Sequence, residues 1–492
     1  MFRKKNILTI GIAVLSFSFF TSCEKYLDVE PRYVEDAENY FNNKGDYERA
    51  LVGAYDLLQS SFIINWIGEI ASDNSIAGGE SVNDSEGLHQ IDAMNHGGVN
   101  SELRNVFRWN YAGIARTNYI MEYKDKTAFT GKEIILGETR FLRAYYYFEL
   151  VKFFGDVPLV VDKRLGAEEV TKIPRTPKAE VYQQIEEDLK YAIENLNWSN
   201  PIKGRTDKGA ALALLGKVYL YQDKFNLAAT TLDRAINEGG YSLVADYESL
   251  WTVAGEFNSE TVFDVEYSGL EGGGYDCFIC LEGNAAPGFH GIRQYDGPIY
   301  GDGNSYNLPT AELYNSFEAG DPRKDLTVLD IEAFIAAQAN PGDINYAEGG
   351  GGHTGYYNNK YIRRLDETGL PDPDLTSPLN YKSIRFADVL LMAAEAHNRN
   401  NNDGAALQYL NEVRTRASMP SISSSGSQLT EDIWQERRHE LSGEGFRFFD
   451  LVRTGQATQY ITGFQVGKNE LFPIPQVEID LAGGNWSQNP GY

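Results

Sequence analysis

The 492-residue chain carries 70 acidic against 44 basic residues, a formal charge of -26. That balance excludes nucleic acid as a partner, because nothing would neutralise the phosphates. It equally excludes adhesion to an anionic lipid surface through protein charge. With 31 Tyr and 25 Phe but only three Cys, stability rests on a large packed core and not on cross-links.

The chain opens with Arg3, Lys4 and Lys5, then an apolar run from Ile7 to Phe20, then Thr21-Ser22-Cys23. The run has the length of a signal-peptide core and is too short to span a bilayer comfortably. A cysteine directly after small residues reads as a bacterial lipoprotein cleavage site, with Phe20 at the usual Leu position. A plain secretory signal with an incidental cysteine is the alternative. Residues 1–22 are therefore expected to be a lipoprotein signal peptide, and residues 23–35 a lipidated tether. Cys23 would carry the acyl chains, palmitate among them; several chains anchor stably where one gives marginal affinity. The signal segment holds three basic and no acidic residues, so the mature chain is more acidic still.

Residues 36–240 read as a helical region. Ala50, Leu51, Ala54, Tyr55 and Leu58 form an apolar stripe at three-to-four spacing. Residues 61–100 lose that period and gain Gly, Asn, Asp and Ser, which predicts a long loop. Helical patterning returns over 102–123 and 132–154, where Gly155 and Pro158 stop it. Pro174 and Pro177 bracket the next start, with Thr176 as the N-cap of a helix over 178–196. Residues 206–238 read as a helical hairpin of tetratricopeptide type, with Leu215, Gly216, Tyr219, Ala228, Leu232 and Ala235 at the small-and-large spacing. Gly216 and Ala228 let two antiparallel helices approach, and Tyr219 and Leu232 fill the groove between hairpins. A weaker copy follows 178 residues later at Ala393, Ala394, His397, Ala406, Leu410 and Val413, with His397 where Tyr is usual. Hairpins so far apart in sequence are not expected to form one continuous solenoid. The chain between them, 241–380, reads as a large insertion.

The insertion has a different character. Residues 261–267 alternate as a strand does, and glycines 272–274, Gly301, Gly303 and 349–352 follow. Aromatics are interleaved throughout: Tyr275, Phe278, Phe289, Tyr295, Tyr300, Tyr306, Tyr356, Tyr357 and Tyr361. Long irregular segments inside a compact fold are functional or disordered, and so many rings argue for ordered loops. The predicted fold is mainly α, a tetratricopeptide-like helical-hairpin scaffold with a large irregular insertion lobe containing short strands. Residues 381–492 form its C-terminal helical region.

Five motifs in order carry a family resemblance. They are Arg140-Phe141-Leu142-Arg143-Ala144-Tyr145-Tyr146-Tyr147 with Phe154-Gly155-Asp156-Val157-Pro158; Ile384-Arg385-Phe386-Ala387-Asp388; Glu436-Arg437-Arg438 with Glu440-Leu441, Glu444-Gly445, Arg447 and Asp450; Phe472-Pro473-Ile474-Pro475; and Gln488-Asn489-Pro490-Gly491-Tyr492. Together with the lipobox they resemble the SusD/RagB family of nutrient-binding outer-membrane lipoproteins of Bacteroidetes, over nearly the whole mature chain. The resemblance implies a helical scaffold with an irregular second lobe, exposed at the cell surface. It implies a SusC-like TonB-dependent transporter as partner, over which the protein closes as a lid, and an oligosaccharide or peptide as cargo. It implies no enzyme activity and no cofactor.

Sugar rings have apolar faces that stack on exposed Trp, Tyr or Phe, and their hydroxyls need planar polar partners. Tyr275, Phe278, Phe289, Tyr295 and Tyr300, with Arg293, Asp296, Asn304 and Arg363 as polar neighbours, fit that need as loop residues on a rigid frame. Packing of the loops themselves is the competing role for each ring. A second stretch holds Trp66, Asp73, Asn74, His89, Gln90, Asn95 and His96; the resemblance places ligand contacts there, with Asp73 where an Asp is common. Trp109 and Asn118 match the family's structural pattern and are expected in the core. Cys277 and Cys280 form a lone C-x-x-C, read as a disulfide pinning a binding loop, with reduced thiols or a redox or metal role as alternatives. His439-Glu440 lacks the second histidine of a zincin, since position 443 is Gly. The Glu and Arg residues of 436–450 read instead as an ion-pair network. Asp302-Gly303-Asn304 offers oxygens to calcium but falls far short of an EF-hand loop. The expected function is non-catalytic capture of oligosaccharide for a transporter; oligopeptide cargo and a surface glycosidase are the alternatives.

Overall fold

The computed structural model describes residues 40–170, 172–270 and 274–492. The expected signal peptide, Cys23 and tether lie outside the described residues.

The chain is mainly helical. Helix α1 (Lys44–Asp56) starts at an Asn43/Asp46 capping box and leads through a 3₁₀ turn into α2 (Phe62–Ile70). The strand β1 (Ser75–Ala77) and helix α3 (Glu86–Asp92) follow. The expected long loop over 61–100 is thus corrected: it holds two helices. Every residue of α2 is buried, so no polar face marks its period.

Next come α4 (Ser101–Glu122), α5 (Lys132–Phe154), α6 (Lys178–Asn195), α7 (Lys208–Leu220) and α8 (Phe225–Glu238). Thr176 does not cap α6. Its backbone pairs with Val157, and Asp156 accepts the amide of Lys178 at 2.8 Å instead. Each of these helices packs on the next, α4 on α5, α5 on α6, α6 on α7 and α7 on α8. The α7–α8 contact needs a glycine: a Cβ at Gly216 would lie 2.4 Å from the Leu232 side chain.

After β2 (Thr261–Val265) the chain runs through short helices, among them α9 (Ala286–His290), and short strands: β3 (Ile292–Arg293), β4 (Asp302–Gly303), β5 (Asn307–Pro309), β6 (Val328–Asp330) and β7 (Tyr356–Asn358). It returns at β8 (Tyr381–Arg385), which pairs antiparallel with β2. β5 pairs with β1, tying the loop-rich chain to the end of α2. Then α10 (Phe386–Arg399), α11 (Asp403–Arg416), α12 (Gly426–Leu441) and α13 (Arg447–Arg453) complete the frame.

One expectation about the scaffold is overturned. The two hairpins do stack directly: α8 packs against α10, and His397 meets Asp233 at 3.0 Å while Tyr409 donates to the same carboxylate at 2.8 Å. The intervening chain loops out and comes back, so distance in sequence does not separate the hairpins in space.

The residues 436–450 form the expected ion-pair network. Glu440, fully buried, accepts from Arg323, Arg385 and Arg416. Arg385 also holds Glu260 and Glu444, and Lys360 donates to Glu444 at 2.6 Å. Arg323 and Lys360 belong to the loop-rich chain, so the network clamps those loops to α12. The three arginines hold the Glu440 carboxyl well below the ordinary carboxylate range.

Candidate functional site

The loops held by this clamp present a cluster of rings built outward from α2. Phe62 and Trp66, one turn apart on α2, form its floor with Phe289 of α9. The Trp66 and Phe289 rings stack at 4.8 Å, and Trp109 of α4 joins Phe62 from behind at 6.1 Å. All four are buried. Over this floor lie Phe278, 6.0 Å from Phe289, and Tyr306, 5.5 Å from Trp66, both partly exposed. Tyr275 sits edge-on to Phe278 at 6.0 Å and is 53% exposed. A buried aromatic layer thus supports an outer one that reaches solvent.

Polar groups ring the outer layer. Tyr306 donates its hydroxyl to Asp84 at 3.2 Å. Arg293 donates to the Asn304 carbonyl at 2.7 Å and lies 3.4 Å from Asp84. Arg363 donates to the Asp302 carbonyl at 3.2 Å and lies 3.9 Å from Asp374. Burial, with Asp374 and Asp372 nearby, pushes the Tyr275 hydroxyl up to about 12, so it stays a neutral donor. Trp66 Nε1, Asn304 Oδ1 and Arg363 Nε are buried polar atoms with no hydrogen-bond partner among the described residues. Gln294, Ile299 and Ser305 hold positive φ, 73° for the β-branched Ile299. Backbone strain of that kind concentrates at ligand-holding loops.

Cys277 and Cys280 form a disulfide. It closes a single turn whose two inner residues face different neighbours. Phe278 enters the ring cluster, while the Ile279 carbonyl accepts from Gln59 at 2.7 Å.

Of the residues singled out in the sequence, the fold brings together Trp66, Tyr275, Phe278, Phe289, Arg293 and Arg363. Trp66 and Phe289 are floor and not surface. Asp73, Asn74, His96, Tyr295 and Tyr300 lie elsewhere, bonded or packed within the body. Asp73 receives both Nε and Nη2 of Arg447 at 2.8 and 2.9 Å, and Asn74, fully buried, accepts from Arg438 at 2.9 Å. His96 packs its ring on Phe472 and meets the Tyr492 hydroxyl at 2.9 Å, locking the C-terminus. Tyr295 and Tyr300 fill a small separate core with Ile292, Leu308 and Tyr357. Asn74, His96, Tyr295 and Tyr300 are buried and have little surface to offer a ligand, and Asp73, partly exposed, spends both carboxylate oxygens on Arg447. Trp109 and Asn118 are core residues, as expected. Asp84 and Asp374 had no marker in the sequence, since both lie in polar loops among other acidic residues.

Glu318, Glu436 and His439 are the one close trio of metal-ligand types among the described residues. Arg414 bonds both carboxylates and Arg323 bonds Glu436, so arginine nitrogens already occupy those oxygens.

Comparison with known proteins agrees with the fold. Residues 259–470 match the model described as the SusD family, and residues 25–220 match one described as starch-binding, associating with the outer membrane. A SusD-like protein of Formosa agariphila is 25% identical, over 90% of this chain and 88% of its own. The solved structure of a laminarin binding SusD-like protein is 35% identical, covering 92% of this chain and 100% of that one, with a TM-score of 0.84. Surface glycan-binding protein A from Bacteroides thetaiotaomicron, solved with laminarihexaose, has the same fold at 24% identity and a TM-score of 0.83, covering 91% and 99%.

Proposed function

The chain belongs to the SusD family, and from that premise we propose that it is a cell-surface lipoprotein of the outer membrane that binds a glycan and delivers it to a SusC-like, TonB-dependent transporter. It is a binding protein and not an enzyme, as its relatives are named.

The observation that carries the glycan reading is the outer ring layer. Tyr275, Phe278 and Tyr306 offer faces to the apolar side of a sugar, beside Asp84, Asn304, Asp374 and the guanidinium groups of Arg293 and Arg363. Hydroxyls of a bound sugar are donors and acceptors at once, which suits alternating carboxylate and guanidinium partners. The buried lower layer and the disulfide fix these rings before ligand arrives, so binding loses little side-chain entropy. A β-glucan of the laminarin type is the first cargo to test, because the relative at 35% identity is named for laminarin.

The test is calorimetry of the soluble chain against laminarin oligosaccharides, starch oligosaccharides and a peptide mixture. Heat from one glycan class at micromolar affinity, as shallow stacked sites give, supports the proposal. Heat from peptides alone, or from none of the three, overturns it. The delivery step is tested by co-purification of the acylated protein with a transporter from membranes.

A further inference from the structure

Four carboxylates and two guanidinium groups stand around the outer rings. On one side Asp84 accepts the Tyr306 hydroxyl at 3.2 Å. On the other, Asp374 and Asp372 lie near the Tyr275 hydroxyl. Asp302 joins them: burial, then Asp372 and Asp302, push the Asp374 carboxyl above its ordinary range. Asp302 is exposed and Asp372 partly so, and neither forms an ion pair among the described residues.

Neither guanidinium offers a free positive charge. Arg293 lies 3.4 Å from Asp84 and also donates to the Asn304 carbonyl and the Ser305 hydroxyl. Arg363 lies 3.9 Å from Asp374 and donates to the Asp302 carbonyl. With two of the carboxylates facing these arginines, Asp302 and Asp372 remain as surplus negative charge at the rim. An anion site shows the opposite pattern, guanidinium forks aimed at open space.

Stacking and charge divide the work here. The faces of Tyr275, Phe278 and Tyr306 stack on the apolar side of any sugar, charged or not. The hydroxyls of a neutral sugar donate to carboxylates, whereas an ionised uronate or sulfate only accepts. At this rim an anionic sugar meets like charge and finds no unpaired cation, a conflict that rejects wrong partners at interfaces. On the glycan reading above, we propose that the ring cluster selects neutral glycans and rejects polyanionic ones, with Asp302 and Asp372 as the residues that set this preference.

The experiment is calorimetry of the soluble chain with laminarin hexasaccharide and starch hexasaccharide. Each is compared with its own form after oxidation of the primary hydroxyls to carboxylates. The neutral sugar that binds is expected to bind at least about tenfold more tightly than its oxidised form. Salt separates charge from the loss of hydroxyls. The Debye length falls from about 10 Å at 0.1 M to about 3 Å at 1 M, so the gap should narrow to about threefold at the higher salt. Asp302→Asn with Asp372→Asn leaves as many guanidinium groups as carboxylates at the rim. Asn at 372 keeps an oxygen for the Asp374 amide, which Asp372 accepts at 3.1 Å, so the loop is preserved. The double substitution is expected to narrow the gap by a similar factor, with the neutral affinity held within about twofold. An oxidised sugar that binds as tightly as its neutral parent overturns the proposal and leaves the glycan reading standing. A gap that survives both the salt and the double substitution does the same. Binding of none of the four sugars overturns the glycan reading and the selection together.

Discussion

Glu440→Gln is expected to be among the most damaging single-atom changes available in this protein. Glu440 lies on α12 with no exposed surface, and its two oxygens take the guanidinium groups of Arg323, Arg385 and Arg416. Glutamine keeps the shape but removes the charge, and turns an N–H₂ donor towards guanidinium donors. Arg323 keeps Asp321 and Glu436, Arg385 keeps Glu260 and Glu444, and Arg416 keeps Glu260. The positive charge is therefore only partly compensated in a dry interior. Removing one partner of a buried pair costs about 3–5 kcal/mol, and the remaining carboxylates place the expected loss near about 3 kcal/mol. The control is Glu312→Gln, whose carboxylate pairs with Arg438 but is 61% exposed; an exposed pair of this kind is worth about 0–1 kcal/mol. Urea unfolding followed by tryptophan fluorescence compares the two. Because Glu440 titrates below its ordinary range when folded, its contribution is present above about pH 4.5 and disappears as pH falls through the folded value. The Glu440→Gln penalty should therefore shrink in acid. A penalty below about 1 kcal/mol at pH 7, equal to that of Glu312→Gln, would refute the clamp as the device that holds the loops to the helices.

Gly68→Ala should destabilise strongly, by about 1–3 kcal/mol or more, because its Cβ would fall 2.0 Å from the Gly445 carbonyl oxygen; thermal unfolding measures it. His96 is buried and neutral, its ionisation held down to about 4 by desolvation. The unfolded chain then binds more protons between about pH 6.5 and 4, and stability falls as pH drops through that window, by at most about 3 kcal/mol from this residue. His96→Gln should flatten that slope in unfolding experiments across the same pH range. Replacing both Cys277 and Cys280 by Ser should weaken glycan binding while the unfolding temperature of the helical frame changes little, since Phe278 is placed by a turn that the disulfide closes.

How much of this was legible follows from where each signal came. The helices α4 and α6 begin or end within a residue or so of the predicted spans because each has a polar face, and α5, buried along most of its length, is bounded by its stops at Gly155 and Pro158. Helix α2 was missed for the opposite reason: Phe62–Ile70 is buried all round, so no period separates it from a loop. The contact between α8 and α10 was invisible because a side-chain pattern says which face is apolar and not what covers it. At the site, chemistry-bearing residue types were readable and exposure was not. Tyr275 and Tyr300 look alike in a Gly-rich, aromatic stretch, yet one is 53% exposed and the other 7%. Asp73 and Asn74 have the right chemistry for a sugar and are consumed by Arg447 and Arg438.

Glycan capture by this protein requires the outer rings to touch sugar. Titration calorimetry of a laminarin hexasaccharide into the wild-type chain and into Tyr275→Ala measures this directly. Tyr275 is 53% exposed and its one ring contact among the described residues is with Phe278, so its removal should change the unfolding temperature little. Loss of one stacked ring and its hydroxyl should weaken binding by about 1–2 kcal/mol, roughly five- to thirtyfold. Equal affinity in the two proteins would contradict the account.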